Sequence, residues 1–318
     1  MWVTSTTETV LKPTAIALGN FDGLHRGHQQ VFRPLLEATP PLDHSSWGKT
    51  YSTLVTFSPH PKEYFTGQQQ QLLTPLKEKI PLLEQLGIEQ LVLLPFDQEL
   101  AQLSPQAFVE EILIQKLEAQ QICIGQDFRF GYKRTGTAQD LQNIARQFNR
   151  DVKITPLYSQ GEERISSSRI RQALEQGNIS QANYLLGRPY TLVGEVVTGQ
   201  KLGRTLGFPT ANLNIPPEKF LPRYGVYSVR VQIKGDRKHP QMGIMNIGCR
   251  PTVQAGHPPT LEIHLLDWSG DLYGKTLTVQ LEQFVRPEQK FASIDELKAQ
   301  ITQDCQEARK TLTSQMPS

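Results

Sequence analysis

The chain has 318 residues, a length that favours two domains, and its 33 lysines and arginines nearly balance its 31 aspartates and glutamates. This balance argues against a protein that coats nucleic acid or an anionic membrane. Cys123, Cys249 and Cys305 form no C-x-x-C pair, and neither a signal-peptide pattern nor a long apolar run is present, so we expect a cytoplasmic protein without disulfides or a membrane anchor.

The first half of the chain alternates predicted strands with predicted helices. The strands span 14–19, 51–57, 90–95, 121–125 and 152–157, and the helices span 27–37, 76–86, 104–119 and 137–148. Thr74 is the expected N-cap of the second helix, with Gly87 at its end, and Thr137 is the expected N-cap of the fourth. This alternation predicts a Rossmann-like α/β domain whose parallel sheet binds ligands beyond the carboxyl ends of its strands.

The second half of the chain has a different pattern of predicted elements. Strands are predicted at 190–198, 224–233, 241–247, 261–267 and 276–284, with no predicted helix between them. This pattern favours an antiparallel β-barrel or sandwich. A last helix should begin at Ser293, which forms a capping box with Glu296, and should turn Leu297, Ile301 and Ala308 inward. Two short helices, 168–176 and 180–186, connect the halves, and we place the domain boundary between residues 186 and 187.

The first candidate site is the run Gly19-Asn20-Phe21-Asp22-Gly23-Leu24-His25-Arg26-Gly27-His28, where the first strand meets the first helix. Its glycines allow tight turns, and the helix N-terminus attracts phosphate. His25 and His28 can direct ring N–H groups at the same phosphates. Two alternatives stay open, namely histidines that are merely solvated or capping, and a zinc site formed with Asp22.

A second stretch, Ile165-Ser166-Ser167-Ser168-Arg169-Ile170-Arg171, also precedes a predicted helix. Hydroxyl groups and an arginine at a helix start can hold a triphosphate through charge-assisted hydrogen bonds. Taken by itself, the stretch is more typical of a serine-rich N-cap followed by a solvated basic turn. Together, the two motifs predict phosphate binding in the α/β domain.

The third stretch is a glycine-rich, basic loop followed by Pro209-Thr210-Ala211-Asn212. Its candidate phosphate-binding residues are Gly199, Lys201, Gly203 and Arg204, whose backbone N–H groups can wrap phosphates. Thr210 and Asn212 offer oxygen ligands on the same side of a strand, which suits Mg²⁺ held together with ATP. A turn-rich hairpin with a satisfied threonine and asparagine is the alternative.

Glu262 lies on the predicted strand 261–267, on the face opposite Leu261 and Ile263. Taken alone, this pattern indicates an exposed strand face, and His264 on the same face is interpreted as structural.

The motifs together resemble a known family. Phe21-Asp22-Gly23-x-His25-x-Gly27-His28 resembles the H-x-G-H signature of the nucleotidyltransferase superfamily, and the stretch 165–171 resembles its second signature, with Ser168 where threonine is usual. The segments 56–61 and 125–131 resemble the flavin-side segments of bacterial FAD synthetases. The stretch 199–212 resembles the signature of riboflavin kinases, as do 225–227, 246–252, 261–267 and 286–291.

The resemblance implies a bacterial bifunctional riboflavin kinase/FAD synthetase, with an α/β nucleotidyltransferase domain and a β-barrel kinase domain. It implies that Glu262 is the kinase base, that Thr210 and Asn212 hold Mg²⁺, and that His25, His28 and Arg171 position ATP. The implied ATP-binding residues of the first domain are Gly19, Phe21, Asp22, Gly27, Ser167 and Ser168. The implied flavin-binding residues are Pro59, Asp127, Phe128, Arg129 and Phe130.

Under this hypothesis the partners are small molecules: riboflavin, FMN and ATP. FMN and FAD are substrate and product rather than prosthetic groups, and a monomer or weak homo-oligomer is expected. Two rival functions stay open. One is a nucleotidyltransferase for another phosphate ester with a non-catalytic second domain, and the other is a flavin-sensing protein without turnover.

Overall fold

The computed structural model describes residues 1–37, 49–160, 163–199, 203, 206–236, 240–248 and 259–314, with the backbone alone at 159, 160 and 163. The chain divides into two compact units, Met1–Ser167 and Ser168–Ser318. The two connecting helices therefore belong by their contacts to the second unit. None of the helices in the described ranges is long and apolar enough to cross a membrane.

The first unit is built on a parallel six-stranded sheet in the order β1-β4-β3-β2-β5-β8. These strands are β1 Trp2–Thr4, β2 Thr14–Leu18, β3 Tyr51–Ser58, β4 Gln90–Pro95, β5 Ala119–Gly125 and β8 Asp151–Thr155. Neighbouring residues along a strand enter different cores: Ile16 joins one apolar cluster, and Ala17 joins the other. Apolar cores on both faces are the arrangement that a parallel sheet requires, and the predicted α/β fold is confirmed.

Helices and two small hairpins complete this unit. The helices are α1 Arg26–Glu37, α2 Pro61–Thr66, α3 Leu76–Gln85, α4 Gln98–Gln102, α5 Pro105–Ala107 with a π-helical continuation Phe108–Lys116, the 3₁₀ turn Tyr132–Arg134, and α6 Ala138–Gln147. The hairpins pair β6 Arg129–Phe130 with β7 Gly136–Thr137, and β9 Ser159–Gln160 with β10 Glu163–Arg164.

Two helix starts match the prediction and one does not. The hydroxyl of Ser104 accepts the Ala107 N–H, and Thr137 forms a capping box with Asp140. The prediction of Thr74 as N-cap is wrong, because α3 begins at Leu76 after Pro75, which caps without a side-chain hydrogen bond. Pro75 is itself extended, with ψ of 161°, and its carbonyl oxygen accepts the N–H groups of Glu78 and Lys79.

The second unit contains a closed antiparallel barrel in the order β11-β12-β15-β14-β13-β16. Its strands are β11 Tyr190–Val197, β12 Ala211–Asn214, β13 Gly225–Ile233, β14 Gln241–Gly248, β15 Thr260–Leu265 and β16 Thr276–Arg286, and its helices are α7 Ser167–Glu175, α8 Ile179–Leu186 and α9 Ile294–Ser314. The structure thus resolves the choice between barrel and sandwich in favour of the barrel.

Helix α9 packs on the outside of this barrel. Its residues Cys305, Ala308 and Leu312 contact Val226 and Ile244 of the wall. The expected cap is present, since Ser293 accepts the Glu296 N–H at 3.2 Å, although the Glu296 carboxylate accepts from Ala292 N–H rather than from Ser293. The helix buries one stripe of side chains against the barrel. Its residues Leu297, Ile301 and Asp304 line a cavity.

The two described cysteines are core residues, as predicted. Cys123 is buried in the first unit and Cys305 in the second, and neither forms a disulfide. Burial raises the pKa of Cys123 to about 12 and that of Cys305 to about 11. Both thiols are therefore protonated and unreactive at neutral pH. Cys249 lies outside the described residues.

Candidate active sites

The two histidines of the first motif lie face to face at the start of α1. The His25 and His28 rings stack with centroids 3.6 Å apart, and the backbone N–H of His28 donates to His25 Nδ1 at 3.1 Å. A neutral His25 therefore carries its ring proton on Nε2. Cβ atoms added at Gly19 and Gly27 would lie 3.2 Å from the rings of Phe21 and His25, so glycine allows both rings to approach the backbone.

The charge state of His28 is set by its surroundings. Burial lowers its pKa well below the ordinary value, and the positive charges of His25 and Lys79 lower it further. Lys79 is itself buried, and desolvation lowers its pKa while the Asp22 carboxylate raises it. His28 is thus a neutral imidazole at neutral pH. The Nδ1 atom of His28 is buried and has no hydrogen-bond partner in the described chain.

Asp22 connects the first motif to its neighbours. The Asp22 carboxylate accepts the backbone N–H of Thr74 at 3.2 Å, and the Asp22 carbonyl oxygen accepts the Ser167 hydroxyl at 2.8 Å. The start of α7 and the turn before α3 are therefore fastened to the histidine loop. Among the described residues, no three His, Cys, Asp or Glu side chains are grouped to hold a metal ion.

The rest of the second motif lies in the second unit. Ser168 and Arg171 follow the division at Ser167, and the Arg171 guanidinium lies 5.5 Å from the centre of the Phe220 ring. Such a stack holds the guanidinium plane in a defined orientation.

The predicted flavin loop follows β5. Asp127 forms an ion pair with Arg164, Arg129 is exposed, and Phe128 stacks on Phe130 with centroids 5.8 Å apart. Phe130 is only 5% exposed and packs into the core, so its ring supports Phe128 rather than offering a free face. Of the two rings, Phe128 is the one with exposed surface.

An aromatic cluster near Pro59 was missed by the sequence reasoning. Phe57, Tyr64, Phe65 and Phe96 form edge-to-face pairs with centroids 5.2 to 5.8 Å apart. Phe65 is 69% exposed, although it belongs to this cluster. The cluster lies where β3 and β4 end, at the carboxyl edge of the parallel sheet. Aromatic residues on both sides of the Pro59-His60-Pro61 turn were the available signal.

The second site lies on the outer face of the barrel. The Thr210 hydroxyl lies 3.5 Å from Glu262 Oε2, and Asn212 is the direct register partner of Glu262. The face assignment of Glu262 is confirmed, since Leu261 and Ile263 point into the core. His264, predicted to be structural, contacts the Pro209 carbonyl oxygen through Nδ1 at 2.9 Å.

The glycine loop approaches these side chains closely. A Cβ at Gly199 would overlap the Asn212 amide, and one at Gly203 would overlap the Phe208 carbonyl oxygen and lie 3.1 Å from Thr210 Oγ1. Only glycine permits this approach at the two positions. Lys201, Arg204 and the predicted segment 250–252 lie outside the described residues.

A cavity of about 390 Å³ opens between Glu262 and helix α9. Its polar lining includes Asn246, Arg286 and Glu288, which the sequence reasoning did not place among the site residues. Its apolar lining includes Val226, Ile244, Phe291, Leu297 and Ile301. The motif resemblance already covered Asn246 and Arg286, but only the barrel register places Asn246 beside Glu262 and Arg286 in the same cavity.

Comparison with known proteins finds a match for each half of the chain. The family models for FAD synthetase and riboflavin kinase match residues 7–169 and 186–312. The bifunctional riboflavin kinase/FMN adenylyltransferase of Escherichia coli K12 is 40% identical over 293 residues, which cover 91% of this chain and 90% of that protein. The chain belongs to the bifunctional riboflavin kinase/FMN adenylyltransferase family.

Other members of the bifunctional family are similarly close. The Bacillus subtilis bifunctional riboflavin kinase/FMN adenylyltransferase is 36% identical over 299 residues, covering 93% of this chain and 91% of that protein. A crystal structure from Streptococcus pneumoniae, described as a macrolide-efflux protein, has 31% identity and a TM-score of 0.84, and it covers 96% of this chain and 98% of that one. The likeness shows that both chains share the two-unit fold.

Proposed function

We propose that the second unit phosphorylates riboflavin with ATP to give FMN, with Glu262 as the general base. The observation that supports this assignment is the position of Glu262, which lies beside Thr210 and Asn212 at one end of the cavity. The carboxylate takes the proton of the riboflavin 5′-hydroxyl as that oxygen attacks the γ-phosphorus of ATP. ADP leaves, and the ring system of the flavin occupies the apolar part of the cavity.

We further propose that Thr210 and Asn212 bind Mg²⁺ together with ATP. Their hydroxyl and amide oxygens are the ligands that this ion prefers, and Gly199 and Gly203 bring the loop backbone close to both side chains. When bound, Mg²⁺ neutralises charge on the transferring phosphate. The glycine-loop backbone and the two side chains orient the triphosphate toward the cavity.

The kinase assignment is tested by Glu262→Gln, which keeps the size of the side chain but cannot accept the proton. Purified variant and wild type are incubated with riboflavin, ATP and Mg²⁺, and the flavins are separated by chromatography. We expect FMN formation to fall by roughly 10²- to 10⁴-fold, with FAD formation from supplied FMN nearly unchanged. Wild-type riboflavin phosphorylation by the variant would show that Glu262 is not the base.

We propose that the first unit joins FMN to the AMP part of ATP, releasing pyrophosphate and forming FAD. The FMN phosphate is already a nucleophile at neutral pH, so the step needs no base. His25 and His28 at the start of α1 donate ring N–H groups to the ATP phosphates. The family resemblance implies that Arg171 and Ser168 add charge-assisted bonds. Phe128 and the aromatic cluster around Pro59 offer faces for the flavin ring.

This assignment is tested by His25→Ala and His28→Ala. Each variant should lose most of its FAD synthesis from FMN, because each removes a donor at the phosphate-binding helix start. Riboflavin phosphorylation is the internal control and should be retained. If either variant lost a bound metal together with its activity, the zinc alternative would replace the phosphate-binding role.

A further inference from the structure

Asn246 is the second direct neighbour of Glu262 in the barrel. The register of β14 with β15 pairs Asn246 with Glu262, and that of β12 with β15 pairs Asn212 with the same residue. Direct partners on antiparallel strands point to the same side of the sheet, with Cβ atoms about 4.5 to 5.5 Å apart. Glu262 is therefore flanked by one amide on each side, and only Asn212 has a proposed ligand.

The Asn246 side chain lies at the cavity wall, and none of the described residues uses its hydrogen-bonding capacity. Asn246 is half-buried and lines the cavity, and its side chain makes no hydrogen bond within the described part of the chain. A primary amide offers two donors and one acceptor. A ligand with hydroxyl groups can satisfy all of them, whereas a purely apolar ligand would leave them unpaired at a cost in affinity.

Polarity changes along the row of residues that contains Asn246. The next residue in the row is Val226, which pairs with Asn246, is 5% exposed and contacts α9. On the other side lies Glu262, with Thr210 beyond it. Beyond Val226 the row continues to Arg286, the partner of Val226 on β16. Asn246 thus lies between the carboxylate of Glu262 and the apolar side chain of Val226.

Riboflavin matches the part of this row that runs from Glu262 through Asn246 to Val226. Its ring system is joined to the reacting 5′-hydroxyl through a ribityl chain with further hydroxyl groups. When the 5′-hydroxyl is at Glu262 and the ring lies against Val226 and Ile244, the ribityl chain passes over Asn246.

We propose that Asn246 binds a hydroxyl group of the ribityl chain and so orients the 5′-hydroxyl toward Glu262. The proposal rests on the kinase role of the cavity described above. It makes Asn246 a positioning residue that selects flavins with a polyol chain over flavins with an alkyl chain.

The first test is the steady-state kinase kinetics of Asn246→Ala. We expect kcat/KM for riboflavin to fall by about 3- to 10-fold, the value of one neutral hydrogen bond, mainly through a higher KM. The matched control is Asn214→Ala, since Asn214 is an exposed asparagine on β12 outside the cavity lining. It should leave the kinetics unchanged, and both variants should keep wild-type FAD synthesis from FMN.

The second test separates a direct contact from a structural effect. Wild type and Asn246→Ala are assayed with riboflavin and with analogues that each lack the 2′-, 3′- or 4′-hydroxyl. One analogue should react with both proteins at the same kcat/KM, because the missing hydroxyl and the missing amide belong to one interaction. Equal losses by the variant on riboflavin and on every analogue, or no loss on riboflavin, would overturn the proposal.

Failure of this proposal is distinguishable from failure of the kinase assignment. If Glu262→Gln phosphorylated riboflavin at the wild-type rate, the assignment of Glu262 as the base would be wrong. The analogue comparison would still decide whether Asn246 touches the ribityl chain.

Discussion

At the scale of single residues, the first site combines a buried lysine and a neutral histidine with one carboxylate. Lys79 and His28 both have lowered pKa values because burial disfavours their charged forms, while Asp22 counteracts this effect at Lys79. A neutral His28 can donate one ring hydrogen to a phosphate without first binding a proton. The site is therefore prepared for an anionic ligand before that ligand arrives.

The lowered pKa of His28 predicts a loss of stability in acid. An unfolded histidine titrates near pH 6.5, whereas folded His28 titrates lower. Below about pH 6.5 the unfolded chain binds a proton that the folded chain does not, so the free energy of unfolding falls as the pH drops toward the folded pKa. The slope is at most about 1.4 kcal/mol per pH unit for one group. Above pH 6.5 this contribution is fully retained.

The measurement is denaturant unfolding of wild type and His28→Gln at pH 7.5 and pH 5.5. The substituted side chain does not titrate, so the variant should lose less stability between the two pH values. Equal losses would show that His28 is not the group responsible.

At the scale of elements, two ion pairs connect α9 to the barrel, and they differ in burial. Arg286 of β16 forms a bidentate pair with Asp304, with three N–O distances between 2.8 and 3.1 Å, and Asp304 is 2% exposed. Arg309 pairs with Asp267, and both side chains are exposed. Breaking a buried pair leaves an uncompensated charge, whereas an exposed pair is replaced by water.

Asp304→Asn should therefore lower the free energy of unfolding by about 3 kcal/mol. It should also raise the KM for riboflavin, since Arg286 and Asp304 both line the cavity. The matched control is Arg309→Gln, which removes the exposed pair from the same helix and should change stability far less. Denaturant unfolding of the two variants decides the matter, and similar losses would contradict the role of burial.

Local elements were predictable from the sequence because their signals are local. The strand and helix alternation, the caps at Ser104 and Thr137 and the face of Glu262 follow from patterns within a few residues. The neighbours of Glu262 were not predictable, since the order β12-β15-β14 joins strands that are distant in sequence. The Thr74 cap was not distinguishable from the Ser104 cap in the sequence, since both residues precede a proline, and only at 75 is that proline extended.

At the scale of the whole molecule, the division into units does not coincide with the predicted domain boundary. Contacts divide the chain after Ser167, whereas the change of period predicted a boundary at 186/187. Helix α8 is fastened to the barrel, because Asn183 donates to the Leu281 carbonyl oxygen at 2.8 Å and accepts the Tyr190 N–H at 2.7 Å. The connecting helices therefore stabilise the barrel, while the first turn of α7 contains the end of the second predicted phosphate motif.

This arrangement predicts how the two activities separate. Residues 168–318, expressed alone, should fold and phosphorylate riboflavin, because the glycine loop, Thr210, Asn212 and Glu262 all lie within them. Residues 187–318 should do the same with lower stability, since they lack the contacts of α7 and α8. Residues 1–186 should adenylylate FMN more slowly than the full chain, because α7 keeps Ser168 and Arg171 but loses the barrel on which it packs.

The decisive measurement is the kinase activity of the two barrel fragments, with circular dichroism to establish a β-rich fold and thermal unfolding to rank their stabilities. The longer fragment should unfold at the higher temperature, because Asn183 and the backbone bond from Arg223 N–H to the Leu174 carbonyl oxygen at 2.9 Å are retained only there. A folded 168–318 fragment without kinase activity would mean that the kinase site depends on residues of the first unit. The two sites would then have to be treated as one functional assembly.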